Sequence, residues 1–326
     1  MLQNTLERVV LIGFGSIGKR HLRNLISMFP GTQIGIVSKH LTVAPENTVL
    51  IDSIKHAIAW NPELGVISNA ANLHTEVALP LLENEIPLFI EKPIDISTVA
   101  ASRLQPFATR PGIMLGYCLR FSSVFQKIRD TIEAGVIGIP QNIHAVCTSY
   151  LPDWRPGTDY RDSVSAKPDR GGGALLEISH EIDYVCGLLG DPVSVVCEEV
   201  GPRVLDIPVE ENVKLQIDFK QAAARIDLSF ATKSTARKCT VQGTEGVITA
   251  NFLTQEVNCV ADGKQLFQLQ FSDDPNEMYV RELQAMIDLV QQDVPNSANY
   301  SAGLTALKVV ESSKQSIISG QRELIQ

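Results

Sequence analysis

The stretch RVVLIGFGSIGKRHLRNLISM, residues 8–28, decides the fold. Its first five residues, 8–12, form a short apolar run that reads as a buried strand. Gly13, Gly15 and Gly18 follow in G-x-G-x-x-G spacing, and residues 16–28 carry helical periodicity. Glycines between a strand and a helix allow a tight turn, a close approach of phosphate to backbone, and close packing of helix on strand. The unpaired N–H groups that open the helix then face an anion. Gly13, Gly15, Ser16, Ile17 and Gly18 are therefore candidate dinucleotide contacts. The spacing alone also fits a structural turn or a methyltransferase loop; its place after the first strand favours the dinucleotide.

Outward from this loop the pattern alternates. Residues 33–37, 65–68, 87–90 and 112–116 read as strands, and 53–60, 73–85 and 97–107 as helices. Strand and helix in turn imply a doubly wound parallel sheet with helices on both faces. Ligands of such sheets sit at the carboxyl ends of the strands. The second strand ends in Ser38, Lys39 and His40, with no acid to accept from a ribose 2′-hydroxyl. These three residues suit a 2′-phosphate, which points to NADP in preference to NAD. Asn69, Ala70, Asn72 and His74 lie on the same edge as further cofactor contacts, with helix capping as the alternative role for the asparagines. So do Glu91 and Lys92, which end an apolar strand just before Pro93. Two charges at such a point are costly unless paired, solvated or used.

The rhythm changes after residue 121. Helices are expected at 122–134, 174–189, 275–291 and 301–319. Strands are expected at 142–149, 193–200, 213–219, 224–230, 238–242, 246–250, 256–260 and 265–270. Turn signals between consecutive strands indicate an α+β domain on a largely antiparallel sheet. The expected division is residues 1–120 and 121–326, with the last helix packing back on the first domain. Leu175, Ile178, Ile182, Val185 and Leu189 make one apolar helix face, and Glu177, His180, Glu181 and Tyr184 share the opposite side. Following the glycines at 171–173, that polar stripe reads as a pocket wall. Residues 150–161 add Trp154, Arg155 and Tyr160, whose aromatic and guanidinium groups suit sugar faces, phosphate or carboxylate.

Composition bounds the function. The 326 residues are 44% hydrophobic and carry a net charge of −9, which argues against a nucleic-acid surface. No apolar run is long enough for a membrane helix, and no metal site is expected. Six scattered cysteines without a C-x-x-C pair point to reduced thiols and the cytoplasm. The apolar content of residues 213–230 points to burial against another subunit, hence a homodimer or homotetramer.

Four segments carry a resemblance: GFGSIGKRHL at 13–22, ISNAANLHTEVALPLLENEIPLFIEKP at 67–93, GYCLRF at 116–121 and GGGALLEISHEIDY at 171–184. Together they resemble the Gfo/Idh/MocA family of NAD(P)-dependent sugar and cyclitol oxidoreductases, in a branch similar to bacterial surface-sugar pathway members. The resemblance implies a Rossmann domain followed by a substrate-binding α+β domain. It places Lys92 at the substrate hydroxyl and the nicotinamide, Glu91 beside the cofactor, and Pro93 in a cis bond that aims Lys92. It makes His180 the acid/base with Glu177 beside it and places Trp154 and Arg155 over the active site; Arg120 and Tyr160 are further substrate candidates along with Lys92 and His180. The family's Asp-x-x-x-His pair is altered here. The glycine run aligns Glu177 and Glu181 with it, whereas Ile182-Asp183 aligns Leu176 and His180. Cys118 also stands where the family has Asn. The implied reaction is hydride transfer between nicotinamide and a secondary hydroxyl or ketone of a sugar, sugar acid or nucleotide sugar. The alternative is a non-catalytic NADP-binding regulatory protein on the same fold.

Overall fold

Strand β1 (Arg8–Ile12) lies at the centre of a six-stranded, all-parallel sheet in a computed structural model that describes residues 6–292, 294 and 296–326. The other strands are β2 (Gln33–Val37), β3 (Thr48–Leu50), β4 (Leu64–Ile67), β5 (Leu88–Glu91) and β6 (Ile113–Gly116). Their order is β3-β2-β1-β4-β5-β6. Strands β4, β5 and β6 are buried along their whole length, as expected of a sheet covered on both faces. The order reverses between β1 and β4, which opens a crevice at their carboxyl ends.

Helices α1 (Ser16–Met28), α2 (Ile54–Ala59), α3 (His74–Leu82) and α4 (Thr98–Ser102) connect these strands. The helix expected over 97–107 is much shorter. Ser97 caps its start by accepting from Ala100 N, and Pro106, with no N–H to donate, sits in the separate 3-10 turn Gln105–Phe107. Strand β3 escapes the sequence pattern because it is three residues long and only partly buried.

The first compact unit runs to Cys118 and also includes Tyr279–Leu304; the second comprises Leu119–Met278 and Thr305–Gln326. Within the first unit the returning segment pairs beside β6. Leu115 N donates to Ala298 O at 2.7 Å, and Met114 bridges Asn299 in antiparallel fashion.

The second unit is built on a nine-stranded sheet. In chain order its strands are β7 (Pro140–Tyr150), β8 (Pro192–Glu199), β9 (Asn212–Phe219), β10 (Ala223–Ser229), β11 (Ala231–Gly243), β12 (Gly246–Asn251), β13 (Glu256–Ala261), β14 (Lys264–Gln270) and β15 (Glu323–Leu324). In space the order is β14-β13-β12-β11-β7-β10-β9-β8-β15, antiparallel throughout except for the parallel pair β7–β10. Its helices are α5 (Ser123–Glu133), α6 (Ala174–Glu177) and α7 (His180–Leu189), and the chain closes through α8 (Glu277–Gln292) and α9 (Tyr300–Ser319). Helix α5 packs on β12 and β13, α6 on β9 and β10, and α7 on β7 and β10.

Alternation along the strands sorts the two sheet faces. Ile143, Ala145, Val213, Leu215, Ile217, Ile226 and Val241 are buried, while their neighbours His144, Lys214, Gln216 and Arg225 are exposed. The apolar residues of 213–230 therefore fill the unit's own core, and the subunit interface expected from them loses its basis. The helix expected over 174–189 is also corrected. It breaks at Ile178 (φ −105°, ψ 34°) into α6 and α7. All six cysteines are buried thiols. Among the described residues no helix is long and apolar enough to cross a membrane.

Candidate functional site

The glycine loop is shaped by contacts that only glycine permits. Gly13 has φ +93°, and a Cβ there would lie 2.5 Å from Asn69 N. A Cβ on Gly18 would lie 2.5 Å from Gly13 O, so this glycine lets α1 close onto the loop. Among the described residues nothing lies within 4 Å of the equivalent point on Gly15. Gly15 is also the N-cap of α1, and no side chain caps that end or places an acid in its first turn. The N–H groups of Ser16 and Ile17 thus open the helix beneath free space, as an incoming pyrophosphate requires. Ser68 fixes the loop from β4, its hydroxyl donating to Ile12 O and Gly13 O.

Beyond β4 the edge offers acceptors. Asn69 Oδ1 and Asn72 Oδ1 are buried and have no hydrogen-bond partner among the described residues. Neither asparagine caps the turn Ala71–Leu73 or α3. Capping is thus not their role; two buried acceptors are left open after β4, with the Asn69 backbone packed on Gly13. Ala70 leads into that turn. At the end of β2, Ser38 accepts from His40 N, and Lys39 and His40 are exposed.

His74, expected at the cofactor, has both ring nitrogens against backbone. It is buried between two backbone carbonyls, its Nδ1 2.9 Å from Pro93 O and its Nε2 3.2 Å from Asn69 O, and the neutral ring donates to one of them. Burial holds its pKa below the usual value, against the pull of the two carbonyls and of Asp95 and Glu91. Asp95, missed in the sequence, accepts from Thr75 N in the first turn of α3 and from Ile96 N and Ser97 N.

Glu91 ends β5 with its carboxylate turned inward. Oε1 lies 2.6 Å from Nε2 of the buried His21, and Oε2 accepts from Lys92 N. His21 was also missed, since a lone histidine on a helix carries no spacing signal. Lys92 is half-buried and leaves the strand through a cis bond to Pro93.

The second unit holds the remaining candidates. Trp154, Arg155 and Tyr160 line a small cavity of about 10 Å³, together with Leu151 and Ser165, with room for about one water. Trp154 Nε1 donates to Ser149 Oγ, and its ring meets Phe230 edge-on at 6.1 Å. Glu177 ends α6 and His180 opens α7, both half-buried. The other half of the expected stripe is not a pocket wall. Glu181 is fully buried and accepts from Arg237 Nε and Nη2 at 2.8 and 3.2 Å, and Tyr184 is fully buried against Phe252. Every residue from Glu181 to Cys186 is buried, so this part of α7 has no open face to serve as a pocket wall. Arg120, expected at substrate, is buried and committed to Asp183 through Nε and Nη2 at 2.7 and 2.8 Å. Burial pushes the Asp183 carboxyl up, and these two bonds oppose it.

A six-stranded parallel sheet in this order, with a glycine loop at its switch point, defines a Rossmann-type dinucleotide-binding protein carrying a second α+β unit. Residues 7–117 match the model of an oxidoreductase family with an NAD-binding Rossmann fold, and residues 125–249 match the GFO/IDH/MocA C-terminal domain. The chain belongs to the Gfo/Idh/MocA oxidoreductase family. It is 24% identical to an inositol 2-dehydrogenase of Mycolicibacterium gilvum, an alignment that spans 58% of this chain and 54% of that protein. It is 22% identical to a myo-inositol 2-dehydrogenase of Thermotoga maritima over 95% of this chain and 96% of the relative. The fold is shared with levoglucosan dehydrogenase in complex with NADH, at a TM-score of 0.86 and 17% identity over 98% of this chain and 99% of that one.

Proposed function

We propose that the protein is an NAD(P)-dependent oxidoreductase that moves a hydride between nicotinamide and a secondary hydroxyl or ketone of a sugar-like compound. One observation carries the reading. The open space at Gly15, the orphaned acceptors of Asn69 and Asn72, and Lys92 all belong to the carboxyl edge of one parallel sheet. When bound, the nicotinamide supplies the redox chemistry. Gly13, Gly15, Ser16, Ile17 and Gly18 hold the pyrophosphate, and Asn69, Ala70 and Asn72 orient the nucleoside beyond it. Lys92 holds the substrate oxygen and stabilises negative charge that develops there. His180 exchanges the hydroxyl proton, with Glu177 orienting it, since imidazole titrates near neutral pH. Trp154, Arg155 and Tyr160 receive the sugar.

The loop after β2 favours NADP, because Ser38, Lys39 and His40 offer donors and positive charge where an acid would select NAD. The test is titration with NADPH and NADH, then turnover on a panel of inositols, sugars and sugar acids. Tight binding and an absorbance change at the nicotinamide band are expected, with NADP the better cofactor. Lys92→Met should keep cofactor affinity and lower kcat by about 10²–10⁴-fold, the usual weight of a positioned acid–base or oxyanion group. Near-normal turnover in that variant would remove Lys92 from the mechanism, and a strong NAD preference would overturn the cofactor choice.

A further inference from the structure

Near the strand end that carries Glu91 lies a second buried carboxyl group. Glu282, on α8, is completely buried, and neither of its oxygens has a hydrogen-bond partner among the described residues. A carboxyl oxygen each of Glu282 and Glu91 and a ring nitrogen of His21 lie within 4.8 Å of one another, and all three residues are buried. Other groups facing them come from α1, from the end of the β6 segment and from α8 itself. Arg20 stacks its guanidinium on the Tyr279 ring at 4.2 Å, and Tyr279 faces Cys118. Glu91 is already engaged at both oxygens, by His21 and by Lys92 N.

Two buried carboxylates this close cannot both be ionised without a counter-ion or a shared proton. A cation between them is disfavoured by geometry. Adjacent ligand atoms around an ion with bonds of about 2.0–2.1 Å stand roughly 3 Å apart, whereas His21 Nε2 and Glu91 Oε1 are 2.6 Å apart, a direct hydrogen bond. We propose that Glu282 is a positioning residue of the cofactor edge: an uncharged carboxylic acid packed against Glu91 that keeps Glu91 on His21 and on the Lys92 amide. The inference rests on the cofactor reading above for its consequence, though not for its chemistry. Burial and then the Glu91 charge push the Glu282 carboxyl well above the ordinary range, with Arg20 opposing them. Deprotonating Glu282 would set a second negative charge against Glu91 and dislodge the strand end that carries Lys92.

Two measurements test this on the full chain. Infrared difference spectra of wild type against Glu282→Gln at neutral pH should show a protonated-carboxyl band that the variant lacks. Absence of that band overturns the proposal, whatever the cofactor does. NADPH affinity should then be followed from neutral to alkaline pH. Wild type should weaken by up to about tenfold per pH unit once Glu282 ionises. Glu282→Gln, isosteric with the neutral acid, should stay level and match wild type within about twofold at pH 7, while Glu282→Ala loses affinity at every pH. Parallel profiles for wild type and Glu282→Gln would sink the positioning role, as would a stoichiometric metal lost on that substitution. If wild type binds neither nucleotide at any pH, the cofactor reading fails, and the infrared band alone decides the state of Glu282.

Discussion

At Arg120 a guanidinium that the sequence assigns to substrate is instead locked on Asp183, with both groups buried. A Cβ on Gly187 would come within 3.0 Å of that guanidinium, so α7 is recessed to admit it. Removing one member of such a pair leaves an uncompensated charge in the core, which typically costs about 3–5 kcal/mol. Arg120→Ala should lose that much stability in urea denaturation, with substrate KM nearly unchanged in whatever fraction remains folded. A large rise in KM without loss of stability would return Arg120 to the substrate site. Sequence reading could not separate the two roles, because an arginine in a turn looks the same whether its partner is a ligand or an aspartate 63 residues away.

Helix α3 shows how far pattern reading reaches. Its existence, and the strands on either side, follow from periodicity, and the glycine loop locates the cofactor edge. What the pattern does not reveal is how the helix start is held. Asp95 and His74 do this through partners 20 and 19 residues distant in sequence, respectively. The same limit explains α6 and α7. Spacings of three and four over 174–189 are correct for one helix, but Ile178 leaves helical geometry, and α7 beyond it is buried on every side from Glu181 to Cys186. Glu181 and Tyr184 then become core, a change that no local signal announces.

His74 also carries a pH dependence. Its pKa is lowered in the folded protein, so below about 6.5 the unfolded chain binds the proton first. Stability should therefore fall as pH drops through about 6.5, at up to roughly 1.4 kcal/mol per pH unit from this group until the folded imidazole titrates too. The difference between wild type and His74→Asn in urea denaturation from pH 8 to pH 5 should contain that slope. A pH-independent difference would mean that His74 titrates alike in both states.

The whole chain passes between its two units three times, at Cys118, Met278 and Leu304, so neither unit is a single stretch of sequence. A cut near residue 120 looks natural from the βα rhythm, yet it removes residues that complete the first unit. Leu115 would lose its bond to Ala298 and its packing against Gly303, and Met114 its bridge to Asn299. Leu283, Met286 and Ile287 on α8, each fully buried, would be lost as well. Burying a side chain of that size contributes about 1.5–3 kcal/mol, so three of them rival the 5–15 kcal/mol that holds a whole domain together. A fragment of residues 1–118 should therefore melt without a cooperative transition and fail to bind NADPH, although it contains the entire glycine loop and Lys92. Joining residues 279–304 to it through a flexible linker should restore a cooperative melt and cofactor binding. Cooperative melting of the short fragment would show that the returning segment decorates the sheet without holding it.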